Sequence, residues 1–330
     1  LYNARLLAYW YFGVYLLAGI LIGLLVTAVA RRVSARPAAL WVAAALAGVF
    51  VVTSAGLGVN KAPGWARWNY LGYEAKDPWP EYQALMEELD RLPEGRVMWE
   101  ANRDLNKYGT PMALMLTGYW SEGHPSMEGL LFESSITTPY HFLNAAEVSQ
   151  RPSNPIPGLN YHQMDFRRAD RHLRLFNVAY YVSFTEEATT AAADYGFEVL
   201  SRTEPFTIYE VPESSLVDIA TFVPAVWAGE ASFHEAALGW YDDINGLTRW
   251  MAADGPEEWP RITSTDREQW ERLEAAGEVT DIVLEDHRIS FSTTAVGVPH
   301  LVKVSHFPNW TAIGAEGPWR AAPSLMLVIP

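Results

Sequence analysis

Two stretches near the N-terminus contain no charged side chain. Residues 6–30 and 38–59 are apolar or small nearly throughout. Each stretch exceeds the roughly 20 apolar residues that are needed to cross a hydrocarbon core about 30 Å thick. A helix on the surface of a globular core keeps one polar face, and neither stretch has one. The pattern therefore predicts two transmembrane helices, about 6–30 and 38–59, that form a helical hairpin within residues 1–60.

The charges around this hairpin predict its orientation. Arg31, Arg32 and Arg36 lie in the short connection between the two apolar stretches, and residues 1–60 contain no Asp or Glu. Short connections that are rich in Arg stay in the cytoplasm. We therefore expect a cytoplasmic turn, with the chain after about residue 60 on the extracytoplasmic side of the plasma membrane.

Residues 61–215 alternate short helical and strand patterns. Apolar positions recur at helical spacing in two stretches, and three runs alternate as strands do. The helical stretches are 80–92 and 166–178, and the strand runs are AYYVSF, FEVLSR and FTIYEVP. In the second helix we expect the apolar residues to pack inward and the Arg residues to be solvated. This alternation predicts a small α/β unit.

Residues 216–330 have a different pattern. One helical stretch lies between Gly229 and Gly255, and short alternating runs punctuated by Gly and Pro follow it, the last at the C-terminus. This pattern predicts a helix plus a β-sandwich-like domain that is truncated at its C-terminus. The predicted fold class is thus a membrane α-helical hairpin followed by an extracytoplasmic α+β region.

The charge balance after the hairpin excludes one class of partner. Residues 61–330 contain 20 basic and 39 acidic side chains, a formal charge of −19. Such a surface repels nucleic acid. The chain has no Cys, and a region of this length can bury a core without disulfides. The lipid bilayer is the partner that the composition predicts, and nucleic acid is not.

The candidate chemistry is concentrated in residues 118–144. This stretch gathers aromatic rings, carboxylates, imidazoles and hydroxyls. Sugars present apolar C–H faces and a ring of hydroxyls, so aromatic platforms edged by carboxylates suit them. The predicted glycan-binding residues are Tyr119, Trp120, Glu122, Glu128, Glu133 and His141. The alternative interpretation is an ordered loop that ties the outer region to the membrane helices.

Other sites are disfavoured by spacing. A nucleophile elbow needs Gly two positions on either side of Ser, whereas Gly123 and Gly129 lie three positions from Ser126. The eight His residues do not show the spacing of a zinc site, and no Cys can assist them. No Gly-rich phosphate loop is present. Asp242 and Asp243 are interpreted as the end of a helix face. The sequence therefore predicts no metal site and no cofactor site in this chain, and it does not identify catalytic residues.

Four segments together resemble a known family. They are GTPMALML at 109–116, SMEGLLFESSITTPYHFLN at 126–144, LFNVAYYV at 175–182 and the C-terminal run from Val302. The set looks like large actinobacterial polytopic membrane proteins that are labelled "6-pyruvoyl-tetrahydropterin synthase-related". These proteins are similar to GT-C-type glycosyltransferases of the cell envelope. The zinc-binding His trio that the pterin-synthase label requires is not seen in this sequence.

The resemblance implies a function. The chain would be the C-terminal membrane and extracytoplasmic part of a glycosyltransferase that uses a polyprenyl-phosphate sugar donor, and it would aid binding of the acceptor, an envelope glycan. In GT-C enzymes the catalytic acid lies in the first outer loop, which would precede Leu1. Upstream transmembrane helices of the same protein would then be partners, and any divalent cation would belong to the full-length protein. The alternative is a non-catalytic, membrane-anchored carbohydrate-binding or envelope-assembly protein.

Overall fold

The computed structural model describes residues 6–33, 36–56, 61–127, 136–266, 270–274 and 276–330. The chain divides into two compact units, Leu1–Leu71 and Gly72–Pro330. In the described ranges the first unit is helical and the second is mixed α/β.

The N-terminal unit contains one helix that is long and apolar enough to cross a membrane. Helix α1 spans Leu7–Val33, and its membrane-length apolar part is Leu7–Ala28. Helix α2, Arg36–Gly56, contacts α1, but its apolar part, Trp41–Thr53, is shorter. Helix α3 follows at Ala62–Tyr70. The structure thus contains the first predicted membrane helix, whereas the second span and the orientation stay predictions.

The described residues between 72 and 200 include five α-helices. They are α4 (Trp79–Leu89), α5 (Thr117–Trp120), α6 (Thr138–Glu147), α7 (Phe166–Leu175) and α8 (Glu186–Tyr195), with 3-10 turns at Arg103–Tyr108 and Ala113–Leu116. Local chemistry explains where several of them begin. Pro80 occupies the first turn of α4, where its missing N–H costs nothing. Asp165 caps α7 by accepting hydrogen bonds from the N–H groups of Arg167 and Arg168.

A four-stranded sheet packs with these helices. Its strands are β1 (Arg96–Trp99), β2 (Val178–Ser183), β3 (Val199–Thr203) and β4 (Phe206–Glu210), in the order β1-β2-β4-β3. Strands β1 and β2 are parallel, and the other pairs are antiparallel. The three predicted strand runs correspond to β2, β3 and β4. The predicted α/β character of this region is confirmed.

The C-terminal part is rich in short strands. Helix α9 is Phe233–Asp242, and the strands are β5 (Val217–Ile219), β6 (Ala225–Trp227), β7 (Met251–Ala252), β8 (Arg261–Ile262), β9 (Val279–Glu285), β10 (Arg288–Thr293), β11 (His300–Val302), β12 (Glu316–Ala321) and β13 (Leu325–Ile329). A seven-stranded mixed sheet has the order β5-β11-β13-β12-β7-β6-β8, and β9 with β10 forms a hairpin. A sandwich-like packing of these sheets stays a prediction.

Helix α9 is shorter than the helical pattern between Gly229 and Gly255. Ser232 and Glu235 form a capping box that begins the helix. After Asp242 the chain turns, and residues 251–252 join the seven-stranded sheet as β7. Burial of that segment in the sheet outweighs its local preference for helix.

The second unit has several hydrophobic core clusters, and one of them joins residues from many of its elements. Its buried members include Tyr140 on α6, Phe176 after α7, Tyr241 on α9, Trp250 and Leu327. The core therefore draws on residues from both sides of the predicted boundary at 215/216. In the structure that boundary joins two parts of the same compact unit.

Candidate functional site

Tyr119 and Trp120, from the predicted glycan-binding stretch, form an aromatic pair on α5. Tyr119 is 75% exposed, whereas Trp120 is half-buried, and their ring centroids lie 4.8 Å apart in an edge-to-face arrangement. Trp120 also packs edge to face with Trp79 at 4.9 Å and lies 6.4 Å from Tyr73. The indole of Trp120 is therefore packed within a cluster of aromatic rings. Of the two side chains, Tyr119 is the one that is exposed to solvent.

The predicted acids and His141 have separate environments. Glu122 is exposed, and its backbone N–H donates to Asp90 Oδ1 at 3.1 Å. His141 is buried in α6, where its ring lies 6.0 Å from that of Trp99. Glu128 and Glu133 lie outside the described residues. The structure thus brings the rings of Tyr119 and Trp120 into contact but buries His141 in the core. These three predicted glycan-binding residues therefore do not share one exposed surface.

A buried carboxylate joins α6, α7 and α9. Glu147, the last residue of α6, is 1% exposed. Its Oε1 accepts a hydrogen bond from Arg168 Nε at 3.0 Å, and its Oε2 lies 2.6 Å from His172 Nδ1. His172 Nε2 lies 2.9 Å from the carbonyl oxygen of Tyr241, and the two rings stack at 3.6 Å. A carbonyl oxygen and a carboxylate oxygen both accept hydrogen bonds, so each ring nitrogen of His172 faces an acceptor.

Asp242 extends this network towards solvent. Its Oδ1 accepts from Arg168 Nη2 at 2.8 Å and lies 2.5 Å from His162 Nε2, and its Oδ2 accepts from Asn160 Nδ2 at 3.1 Å. Partial burial raises the pKa of Asp242, but His162, Arg168 and Asn160 together hold that pKa below its ordinary value of 3.8. The side chain is 43% exposed. Asp242 is therefore an ionised carboxylate that solvent reaches and that donors hold in place.

These groups line a pocket of about 180 Å³, which we call the Asp242 pocket. Its polar lining comes from α6, α7, α9 and the loop before α7, and its apolar lining includes Leu143, Leu159 and Leu238. Gly158 and Gly239 also line it, and an added Cβ at either position would meet nothing within 4 Å. The pocket combines two carboxylates, one guanidinium, one imidazole and one amide with an apolar wall.

The sequence did not identify this pocket. Arg168 was expected to be solvated with the other Arg residues of α7, yet its side chain is 15% exposed and it bridges Glu147 to Asp242. Asp242 does end α9 as predicted, but it also binds three donors. One signal was present: Arg168 and His172 are four residues apart, so they share a helix face. Their partners are distant in sequence, and no local pattern indicates them.

The side chains that line the pocket offer both hydrogen-bond donors and acceptors. Among the described residues, no group of three or more His, Asp or Glu side chains is placed to hold a metal ion. Comparison with known proteins found no matching family model, no matching curated protein and no matching solved structure.

Proposed function

We propose that this chain is the membrane-anchored part of a GT-C-like glycosyltransferase of the cell envelope, and that its Asp242 pocket helps to bind the acceptor glycan. The observation that carries the proposal is that polar side chains and an apolar wall line the same pocket. The membrane-length helix α1 supports the anchoring. The resemblance of the four segments supports the glycosyltransferase context and the polyprenyl-phosphate donor.

The polar side chains that line the Asp242 pocket suit a neutral sugar. Asp242 offers acceptor oxygens, Arg168 offers donors, and Asn160 offers an amide that both donates and accepts. Sugar hydroxyls need partners of both kinds, while the C–H face of a sugar ring needs an apolar wall such as Leu159 and Leu238. Arg168 pairs with both carboxylates of the lining, with Asp242 at 2.8 Å and with Glu147 at 3.0 Å, and Asp242 also lies beside His162. This pairing favours a neutral polyol over a charged ligand.

The proposed orientation places the pocket outside the cell. Arg31 and Arg32 lie in the last turn of α1, and Arg36 begins α2. Arg-rich short connections stay in the cytoplasm, so the chain after about residue 60 is extracytoplasmic in this proposal. An envelope glycan would meet the pocket on that side. A non-catalytic carbohydrate-binding or envelope-assembly protein would use the same pocket without transferring sugar.

The test is Asp242→Asn in the full chain, held in lipid nanodiscs and titrated calorimetrically with neutral pentose and hexose oligosaccharides. A hydrogen bond to a charged group contributes about 1.5–3 kcal/mol, so we expect affinity to fall by about ten- to a hundredfold. Glu258→Gln is the matched control, because Glu258 is an exposed acid outside the pocket lining. It should bind as the parent does, and thermal melting of each variant reports folding.

The same titration distinguishes glycan binding at the Asp242 pocket from glycan binding at Tyr119, which the sequence predicted. If Tyr119 is the glycan platform, Tyr119→Ala will weaken binding, and Asp242→Asn will not. Parent-like affinity in Asp242→Asn, or no saturable binding of any neutral oligosaccharide by the parent, would contradict the proposed role of the pocket.

A further inference from the structure

A second and larger pocket lies beside the C-terminal half of α7. Its volume is about 650 Å³, within the range of about 300–1,000 Å³ that is typical of small-molecule sites. Its walls come from α7, β5, the segment after α9, β9 and β11. We call it the Lys303 pocket, after the buried lysine in its lining. The Asp242 pocket has none of its lining residues in common with it.

Lys303 is a cation that the fold buries. It is 3% exposed, and its Nζ donates to the carbonyl oxygen of Arg174 at 2.8 Å and pairs with Asp218 Oδ2 at 2.8 Å. An ammonium group has three donors, and these contacts use two of them. Burial lowers the pKa of Lys303, while Asp218 acts in the opposite direction. A buried, charged side chain of this kind is costly and marks a candidate binding site.

The lining of this pocket is positive, although the region around it is acidic. Three basic residues line it, Arg171, Arg174 and Lys303, against two acids, Glu213 and Asp218. Both acids are already engaged, Glu213 with Arg174 and Asp218 with Lys303. Arg171 is exposed and makes no ion pair with another described residue. Arg171 therefore places a solvated guanidinium at this pocket, within a region whose formal charge is −19.

Neutral groups in the lining add open hydrogen-bonding capacity beside an apolar wall. The side chains of Thr221, Asn245 and Thr248 line the pocket and form no hydrogen bond with another described side chain or backbone group. Leu247 and Trp250 are buried members of the same lining. Judged by the described residues, the site therefore offers a guanidinium outside any ion pair, several neutral donors and an apolar surface. An anionic head group attached to an apolar body would satisfy all three.

We propose that the Lys303 pocket binds a small organic anion, whose carboxylate or phosphate group pairs with Arg171 and whose apolar body lies against Trp250 and Leu247. Arg171 supplies a positive charge that no other described residue pairs with. Lys303 and Arg174 add positive potential, which Asp218 and Glu213 offset only in part. The proposal is independent of glycan binding at the Asp242 pocket.

The test uses three water-soluble aromatic probes on the full chain in nanodiscs, measured by calorimetry against empty nanodiscs. Benzoate and phenyl phosphate carry the two candidate head groups, and benzamide is their neutral counterpart. We expect at least one anion to bind at least about tenfold more tightly than benzamide, and the stronger of the two identifies the head group. Raising the salt concentration should weaken this binding, because the pairing with Arg171 is at the surface.

Arg171→Gln should weaken binding of the preferred anion by about ten- to a hundredfold, as expected for loss of a charge-assisted hydrogen bond. Arg167→Gln is the matched control, because Arg167 is an exposed residue of the same helix that does not line the pocket. It should bind as the parent does. Equal affinity for benzamide and both anions, no saturable binding of either anion, or parent-like affinity in Arg171→Gln would overturn the proposal. None of these outcomes depends on the glycan titration.

Discussion

At the scale of single residues, His124 shows how burial makes stability depend on pH. It is 1% exposed, and neither ring nitrogen has a hydrogen-bond partner among the described residues. Its ring stacks on Tyr180, with centroids 5.6 Å apart. Desolvation lowers the pKa of His124, although Asp90 and Glu94 act in the opposite direction. His124 therefore binds a proton less readily in the folded protein than in the unfolded chain.

This linkage gives a prediction for His124→Phe. As pH falls through the ordinary His value of 6.5, the unfolded chain binds the proton first, so His124 makes the parent less stable. Phe keeps a ring on Tyr180 and carries no proton. We therefore expect the free energy of unfolding to fall less steeply in the variant than in the parent between about pH 7 and pH 5. Urea unfolding at several pH values measures this slope.

The control for this measurement is His287→Phe, because His287 is exposed in the turn between β9 and β10. Its slope should follow that of the parent. A slope for His124→Phe that equals the parental slope would show that His124 does not contribute to the acid sensitivity.

At the scale of secondary-structure elements, one buried carboxylate fixes the start of α8. Glu100 follows β1 and is fully buried. Its Oε2 accepts from the backbone N–H groups of Phe184 and Thr185, each at 2.8 Å, and its Oε1 accepts from Thr185 Oγ1 at 2.8 Å. Thr185 in turn caps α8 by accepting from Ala188 N–H at 3.2 Å. The connection from β2 to α8 is thus held to β1 by a side chain.

Glu100→Gln is expected to destabilise the protein by about 1–3 kcal/mol. The amide has one acceptor oxygen instead of two, and its NH2 group would face an N–H or O–H donor. Chemical denaturation of the full chain measures the change. Glu187→Gln, at an exposed position in the first turn of α8, should change the free energy of unfolding by no more than about 0.5 kcal/mol. Equal stability of Glu100→Gln and the parent would show that these three hydrogen bonds do not secure the helix.

At the scale of the whole molecule, the proposed orientation can be tested by chemical labelling. The chain contains no Cys, so an introduced Cys is unique. Ser34→Cys lies in the Arg-rich connection, and Ser153→Cys lies at an exposed position of the second unit. In intact cells an impermeant maleimide should label Ser153→Cys and leave Ser34→Cys unlabelled, because the Arg-rich turn is expected inside. Permeabilised cells should label both, and the reverse pattern in intact cells would refute the orientation.

The sequence by itself determined the elements that depend on near neighbours. The uncharged run of residues 6–30 predicts α1, because membrane length and apolar composition are properties of a continuous segment. The spacing of Tyr82, Leu85 and Leu89 predicts α4, and alternation predicts β2 and β4. The mixed α/β character of the second unit follows from the same local patterns.

Only the tertiary structure decided how these elements meet and which side chains form the sites. Asp242 binds Asn160 and His162 across about 80 positions of sequence, and Lys303 reaches the carbonyl oxygen of Arg174 from further away. In the same way, residues 251–252 lie in the stretch predicted as helix but form strand β7, because the seven-stranded sheet buries them. Such contacts are selected by the packing of a shared core and not by the periodicity of any one segment. A local sequence pattern indicates which face of a helix or strand is buried. Which residues pack against that face depends on the rest of the chain.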